Sequence, residues 1–220
     1  MTSPGFDTRP ERLPATLPLF PLSGVLLLPR SRLPLNVFEP RYLNLIDDAL
    51  AGDRLIGMIQ PEQRNGSDLT PPLFKVGCVG RIISFAEEGN RYLIALSGLC
   101  RFTIGEELPT TRGYRRIVPD WSRFRSDFDE DSAASIDRTR LTAGLKSFFK
   151  ANGLSADWSS IEQAPDERLV NSLAMICPFP PAEKQALLEA DTLAERVTIL
   201  TGLVEMAVIH GTPDDTGARH

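Results

Sequence analysis

The sequence has little of what most catalytic sites require. It contains only two histidines: His220 is the last residue, and His210 ends a predicted helix. A Ser-His-Asp triad needs an imidazole held between two partners, and neither position offers one. The motifs G-x-x-x-x-G-K-[ST], G-x-G-x-x-G and G-x-S-x-G are absent, so a phosphate-binding loop, a dinucleotide fingerprint and a nucleophile elbow are excluded. We therefore expect that the protein is not an enzyme.

Lysine is also rare, which bears on Ser-Lys catalysis. The lysines are Lys75, Lys146, Lys150 and Lys184. Lys146 is followed by Ser147, but neighbouring residues of a helix point about 100° apart, which is poor geometry for a nucleophile and its base. The sequence predicts no Ser-Lys peptidase.

The cysteines are three and widely spaced, at Cys78, Cys100 and Cys177. Without a C-x-x-C pair they indicate neither a zinc site nor a disulfide framework, and we expect buried free thiols in a cytoplasmic protein. The acidic run from Asp127 to Asp131 lacks the glycine and distal glutamate of a calcium loop, so it is interpreted as a solvated linker. No cofactor and no metal are expected.

Long apolar runs are absent, and the charge is uneven. No stretch approaches the roughly 20 residues of a membrane span, and the charged N-terminus does not resemble a signal peptide. The net charge is −5; it is +3 through Arg125 (16 basic, 13 acidic) and −8 beyond it (8 basic, 16 acidic). This asymmetry favours two subdomains, and the net negative charge does not favour nucleic acid as a partner.

What the sequence does contain is a series of short apolar runs separated by turn residues. LPLFPL, VLLLP and Leu33–Phe38 are predicted as strands, followed by a helix from Pro40 that Gly52 ends. Leu55–Ile59 is predicted as a strand, and Phe74–Phe102 as a hairpin that turns at residues 87–90. Ser97-Gly98 is predicted to interrupt the second strand of this hairpin, Leu99–Ile104 to form another strand and Tyr114–Val118 to form one more. These strands predict a closed or half-closed barrel with one inserted helix.

The spacing of the apolar residues becomes helical after an acidic hinge at 126–132. One predicted helix carries an apolar face that includes Leu141, Leu145 and Phe148, and further helices begin near Pro165, Pro181 and Thr192. The predicted organisation is a mobile arm over 1–15, a β-rich subdomain over 16–125, the hinge, a helical subdomain over 133–210 and a polar tail over 211–220.

Several segments resemble one known family. "PLFPL…V.LP…PL.VFE.RY", within Leu17–Tyr42, looks like the opening of the N-terminal substrate-binding domain of Lon proteases. Val76–Ile82 and Leu96–Phe102 look like its "V-G-x-x-(G/A)-x-I" and "G-x-x-R-(F/V)" segments. Residues 180–189 and 192–196 resemble its "K-Q-x-L-L-E…ER" helices. Since no ATPase or peptidase motif is present, the chain resembles a free-standing form of that domain.

The resemblance implies an α+β fold: a six-stranded, PUA-like pseudo-barrel with an inserted helix, followed by a helical bundle. It also implies a protein-binding or peptide-binding module, with polypeptide clients or a partner protein linked to proteolysis. The alternative is a small-molecule or RNA-binding module, suggested by the barrel and by Arg112, Arg115, Arg116, Arg123 and Arg125.

Two segments are candidates for the binding surface. VLLLP is interpreted as an exposed strand edge to which a peptide adds. Glu39 and Arg41 form either a recognition site at a strand-to-helix corner or a structural ion pair. The candidate peptide-binding residues are Leu26, Leu27, Leu28, Phe38, Glu39, Arg41 and Tyr42.

Overall fold

The chain forms two compact units. The computed structural model describes residues 13–62, 71–110, 112–129, 136–151, 153, 155 and 157–211. The first unit comprises Met1–Glu130 and Pro180–Glu189, and the second comprises Asp131–Phe179 and Ala190–His220. The chain thus leaves the second unit at residue 180 and returns to the first for ten residues. The sequence-based division, with one helical subdomain over 133–210, does not anticipate this return.

The first unit is built on six strands and one inserted helix. The strands are β1 (Leu17–Pro21), β2 (Arg32–Val37), β3 (Leu55–Ile59), β4 (Val76–Glu88), β5 (Arg91–Leu108) and β6 (Arg115–Asp120), with helix α1 at Pro40–Ala51. Their order is β2-β5-β4-β3-β1-β6, and a further β5–β6 pairing closes the sheet on itself. The α+β fold with a six-stranded pseudo-barrel and an inserted helix is confirmed.

The length of β5 makes the closure possible. Its first part, Tyr92 to Ser97, pairs with β2, and its last part, from Thr103 to Leu108, pairs with β6. The strand runs without a break through Ser97 and Gly98, so the predicted interruption there is wrong. The step from Val79/Cys100 to Gly80/Gly98 shifts the β4–β5 register instead. Such an irregularity bends a strand and lets it serve two neighbours.

The helices of the chain are mostly where the periodicity places them. Helix α1 has the predicted bounds, with Pro40 in its first turn. The others are α2 (Arg138–Ala151), α3 (Trp158–Gln163), α4 (Asp166–Ile176), α5 (Pro181–Glu189) and α6 (Leu193–Gly211). The sequence does not predict α3, which is short. At the end of α4, the Ile176 side chain is 76% exposed.

The predicted acidic hinge is structured in its described part. Ser122–Phe128 forms a 3-10 segment, and Asp127 is buried. The interpretation of this aspartate as part of a solvated linker is therefore wrong. Residues 130–132 of the hinge, most of the N-terminal arm and residues 212–220 of the tail lie outside the described residues.

Helix α5 packs on the first unit through buried polar side chains. Gln185 Nε2 donates to the Val76 carbonyl over 3.0 Å and to Glu189 Oε1 over 2.7 Å. Gln60 Nε2 donates to Gln185 Oε1 over 3.2 Å, and Lys184 Nζ donates to the Gly24 carbonyl over 3.0 Å. Since unpaired buried polar groups are costly, these bonds fix the register of α5 on the barrel.

The second unit buries the apolar stripes of its helices. In α2, Leu141, Leu145 and Phe148 are buried, as predicted. Phe148 packs against Phe179 with ring centroids 5.9 Å apart. At the start of α6, Glu195 N donates to Thr192 Oγ1 over 3.1 Å, which is the predicted cap.

Candidate functional site

The leucines of the VLLLP run form part of the core. Leu26, Leu27 and Leu28 are 2%, 1% and 0% exposed, and residues 25–28 belong to no strand. The expectation that they offer an exposed strand edge is therefore wrong.

Glycines explain how this irregular segment enters the barrel. A Cβ on Gly98 would lie 2.0 Å from the Leu28 carbonyl oxygen, and one on Gly80 would lie 2.7 Å from Leu27 Cδ2. Because both glycines lack a side chain, β4 and β5 leave room for the segment that contains Leu27 and Leu28. The leucines then act as an apolar plug, since burying them removes their surface from water.

Phe38 is the most accessible of the candidate residues. It follows the last residue of β2 and is 64% exposed. A large aromatic side chain left in solvent is a strong anchor for a partner, because its burial contributes much of the energy of an interface.

Glu39 and Arg41 form an ion pair beside Phe38. Arg41 Nη2 and Nε donate to Glu39 Oε2 over 2.9 and 3.1 Å. The Arg41 side chain is 29% exposed and that of Glu39 is 46% exposed, so solvent screens the pair and it adds little stability. The interpretation of this pair as a structural contact is consistent with this geometry, and both groups remain accessible.

Tyr42 faces the core. It is 5% exposed, and its ring lies 4.3 Å from that of Phe20, while Arg41 stacks on it at 4.6 Å. Burial raises the pKa of Tyr42, against the lowering effect of the nearby Arg41. Of the seven candidate residues, only Phe38, Glu39 and Arg41 thus lie at the surface.

The strand before Phe38 has one edge that no described strand pairs with. Strand β2 pairs only with β5 among the described residues, with Arg32 opposite Ser97 and Val37 opposite Tyr92. Arg32, Pro34 and Asn36 are exposed, while Leu33 and Leu35 are half-buried. Pro34, which has no N–H to donate to a ladder, lies on this edge strand.

The register fixes which backbone groups point to the open edge. Gly98 N donates to the Ser31 carbonyl over 2.9 Å, while Ser31 N donates to the Leu28 carbonyl, so the Ser31 carbonyl points toward β5 just before β2. Along an antiparallel ladder, residues whose backbone groups face the neighbouring strand alternate with residues whose groups point away. Leu33, Leu35 and Val37 therefore bond to β5, and Arg32, Pro34 and Asn36 direct their backbone groups outward.

Two further observations agree with this assignment. Ile82 N donates to the Arg54 carbonyl over 2.9 Å, which turns Ile82 away from β5 and leaves Arg81 to bond with Ser97. The backbone groups of Ser97 therefore point toward β4 and not toward β2. Because Arg32 lies opposite Ser97, its own backbone groups then point away from β5. Pro34 has no N–H, and proline in a sheet is placed where that donor would face solvent.

The arginines that suggested an RNA site are mostly engaged within the first unit. Arg115 binds both carboxylate oxygens of Glu107, over 2.7 and 2.6 Å. Arg112 pairs with Asp48, Arg116 donates to Thr16 over 3.2 Å, and Arg123 donates to the Glu189 carbonyl over 3.2 Å. These cations are already matched by local acceptors.

Both units have a cleft among their described residues. The cleft of the first unit has a volume of about 180 Å³ and includes Tyr114, Asp48 and Arg116. Burial and the hydrogen bond to Asp48 raise the pKa of Tyr114 to about 12. The cleft of the second unit, of about 390 Å³, lies between α2 and α6.

Within the described part of the chain, no three His, Cys, Asp or Glu side chains are arranged to hold a metal ion. No described helix is both long and apolar enough to cross a bilayer.

A family model described as the ATP-dependent protease La (LON) substrate-binding domain matches residues 16–205. The chain belongs to this family. The Lon protease 2 of Sorangium cellulosum is 28% identical over 215 residues, which is 91% of this chain and 26% of that protein. The Lon protease 2 of Myxococcus xanthus is 28% identical over 93% of this chain and 25% of its own length. The chain therefore spans about a quarter of these relatives.

Solved structures give the same fold. A Lon N-terminal domain protein from Xanthomonas campestris superposes with a TM-score of 0.60 at 22% identity, over 85% of this chain and 97% of that one. The N-terminal domain of a Mycobacterium avium complex Lon protease gives a TM-score of 0.56 at 15% identity, over 86% and 97%.

One motif of this LON domain has a structural role that the sequence analysis missed. Arg101, in the "G-x-x-R-F" segment, is 2% exposed and binds the Asp127 carboxylate through Nη2, at 2.7 Å, and through Nε. Its Nη1 donates to the Leu188 carbonyl of α5 over 3.0 Å, and it stacks on the Phe124 ring at 4.3 Å. This one side chain joins β5, the 3-10 segment and α5.

The cysteines near this LON motif are buried, as expected, and free. Burial, with the Asp127 charge adding to it, raises the pKa of Cys100 to about 12 and that of Cys78 well above its usual range. A thiol that stays protonated is a poor nucleophile. The first unit therefore offers no activated cysteine at this position.

Proposed function

We propose that this LON substrate-binding domain is a non-catalytic module that captures unfolded polypeptide for proteolysis. The proposal rests above all on Phe38, an aromatic side chain held 64% exposed at the end of a strand that is paired on one side only among the described strands. We call the surface formed by Arg32, Pro34, Asn36, Phe38, Glu39 and Arg41 the β2 corner. Family membership supports a substrate-binding role, and the lack of catalytic motifs in the sequence supports a non-catalytic one.

The chemistry of the β2 corner suits an unfolded chain. Such a chain exposes apolar side chains and unpaired backbone groups together, and the corner offers an apolar anchor beside outward backbone groups. The paired Glu39 and Arg41 present both signs of charge at the rim, where they restrict orientation more than they add affinity.

A link to proteolysis is proposed from the relatives, which are Lon proteases four times as long. The domain would hold a client for a protease, with the client or a partner protein as its ligand. We propose a cytoplasmic location, which suits three free, buried cysteines.

The test is binding to reduced, carboxymethylated α-lactalbumin, a permanently unfolded protein, followed by fluorescence anisotropy. We expect F38S to weaken binding about tenfold, which corresponds to about 1.4 kcal/mol and is typical of losing an aromatic contact. The matched control is M206S, which removes a 54% exposed apolar side chain from the second unit and should leave binding unchanged.

These outcomes distinguish an error in the proposed binding surface from an error in the proposed function. Equal binding by the wild type and F38S would move the site away from the β2 corner. A wild type that binds neither the unfolded protein nor the same protein at low salt would contradict the polypeptide-binding function itself.

Small-molecule binding is the second candidate, favoured by the cleft between α2 and α6. Its volume of about 390 Å³ is within the range of ligand pockets, whereas the cleft of the first unit, at about 180 Å³, is below it. A thermal-shift screen of cytosolic metabolites would test this function. The substitution G202L, which fills open space beside the cleft, should abolish any shift that arises there.

A further inference from the structure

We infer that the open edge of β2 is the recognition element of the β2 corner, and that an extended, alternately apolar segment of a client joins it as an additional strand. This inference rests on the proposed polypeptide-binding function and specifies its mode. The edge presents the N–H groups of Arg32 and Asn36 and the carbonyls of Arg32, Pro34 and Asn36, as the β2–β5 register requires.

The spacing of these groups selects the kind of ligand. They recur at every second residue along β2, which is the repeat of a β-strand. Helices satisfy their own backbone groups internally, so only another extended chain matches such a row. The three outward residues are exposed to solvent.

The two faces of β2 select the side chains of that segment. On one face, Leu33 and Leu35 are half-buried and apolar, and on the other, Arg32, Pro34 and Asn36 are exposed. An added strand also alternates its side chains between the two faces. We therefore expect apolar residues against Leu33 and Leu35, polar residues on the other face, and an acidic residue near Arg32.

Pro34 limits how strongly any strand binds. It lies at the centre of the outward row and supplies a carbonyl but no N–H, so the ladder of an added strand is interrupted there. Proline on an exposed edge is a known protection against edge-to-edge aggregation. In this domain it leaves five of six backbone groups for binding, which favours weak and reversible capture.

The experiment measures binding of a fluorescent octapeptide in which valine alternates with serine, and of carboxymethylated α-lactalbumin, to four proteins. P34A restores one N–H and should tighten both affinities about 2- to 10-fold, the range expected for one hydrogen bond. N36P removes one N–H and should weaken them by a similar factor. N36A keeps the N–H, loses the same side chain and should bind like the wild type.

Amide hydrogen exchange, followed by NMR, shows directly whether the peptide binds at the open edge of β2. On peptide binding, the amides of Arg32 and Asn36 should gain protection, while those of Leu33 and Leu35, already bonded to β5, should not change. Thermal unfolding of each variant checks that the proteins compared are folded.

Each result supports or contradicts binding of a client at the open edge of β2. If the unfolded protein binds but P34A, N36P and the wild type bind alike, the edge is not the site, and the proposed function stands on another surface. If the wild type binds no unfolded protein, the proposed function fails, and this inference with it. A dimer of P34A that protects the same amides would mean that the edge takes a second copy of this chain, which overturns the assignment to a client.

Discussion

Arg101 and Asp127 form a buried ion pair with an Nη2–Oδ1 distance of 2.7 Å and side-chain exposures of 3% and 7%. The Arg101 backbone N–H also donates to Asp127 Oδ2 over 2.8 Å. A pair this deeply buried is strongly coupled, because removing one partner leaves the other charged and without solvent.

The substitution D127A should therefore destabilise the first unit by about 3–5 kcal/mol. The double variant R101M/D127L, which removes both charges, should recover part of this loss. Urea unfolding followed by tryptophan fluorescence measures both, since Trp121 lies against Phe102 in this unit, with ring centroids 6.0 Å apart. The exposed Arg140–Glu205 pair is the control, and R140A should change stability little. A D127A loss below about 1 kcal/mol would contradict the coupling.

Two glycine substitutions should change the stability of the protein in opposite directions. In G98A the new Cβ would meet the Leu28 carbonyl oxygen at 2.0 Å, a backbone contact that side-chain rotation does not relieve, so we expect a loss of about 3 kcal/mol or more. In G202A the Cβ meets nothing within 4 Å, and the interior of α6 should gain about 0.5–1 kcal/mol. Differential scanning calorimetry of both variants measures the loss of stability in G98A and the gain in G202A. A neutral G98A would show that residues 25–28 do not plug the barrel tightly.

Loss of the α5 amide should weaken the first unit. The substitution Q185A leaves the Val76 carbonyl and the Gln60 amide short of a partner, which costs about 1–3 kcal/mol. The control A186Q changes the next residue of the same helix, which is exposed, and should be close to neutral. Hydrogen exchange by mass spectrometry over β4 should increase in Q185A alone. Equal protection in both variants would mean that α5 does not depend on this network.

Alkaline pH should destabilise the protein through Cys100. Burial raises the pKa of Cys100 from its ordinary value of 9.0 to about 12 in the folded state, so between these values the folded state holds a proton that the unfolded state has lost. Stability is therefore full below pH 9 and falls as pH rises toward 12. The variant C100A should show a shallower fall, measured by urea unfolding at pH 8 to 11. An unchanged slope in C100A would show that Cys100 does not contribute.

The local elements were predictable because their signals are local. The bounds of α1 follow from Pro40 at its start, apolar residues at helical spacing and Gly52 at its end. The β4–β5 hairpin follows from period-2 alternation on either side of Gly89, whose φ of 60° suits a tight turn. The family resemblance, drawn from short motifs along the chain, was confirmed for the same reason.

The candidate site was predictable only in part. Phe38, Glu39 and Arg41 are at the surface, but Leu26–Leu28 and Tyr42 are buried. An apolar run beside prolines has the same composition whether it forms a sheet edge or fills a barrel. Only the positions of Gly80 and Gly98 across the barrel decide between these two outcomes.

The sequence by itself determined most of the strands and helices, that a barrel precedes a helical region, and that the familiar catalytic motifs are missing. Each of these depends on residues a few positions apart. The tertiary structure alone decided which polar groups are buried and which edge is open. Arg101 and Asp127 are 26 positions apart, and Gln60 and Gln185 are 125 apart, so no local pattern records their pairing. The open edge of β2 exists because the ring closes between β5 and β6, which leaves β2 with a neighbour on one side only among the described strands.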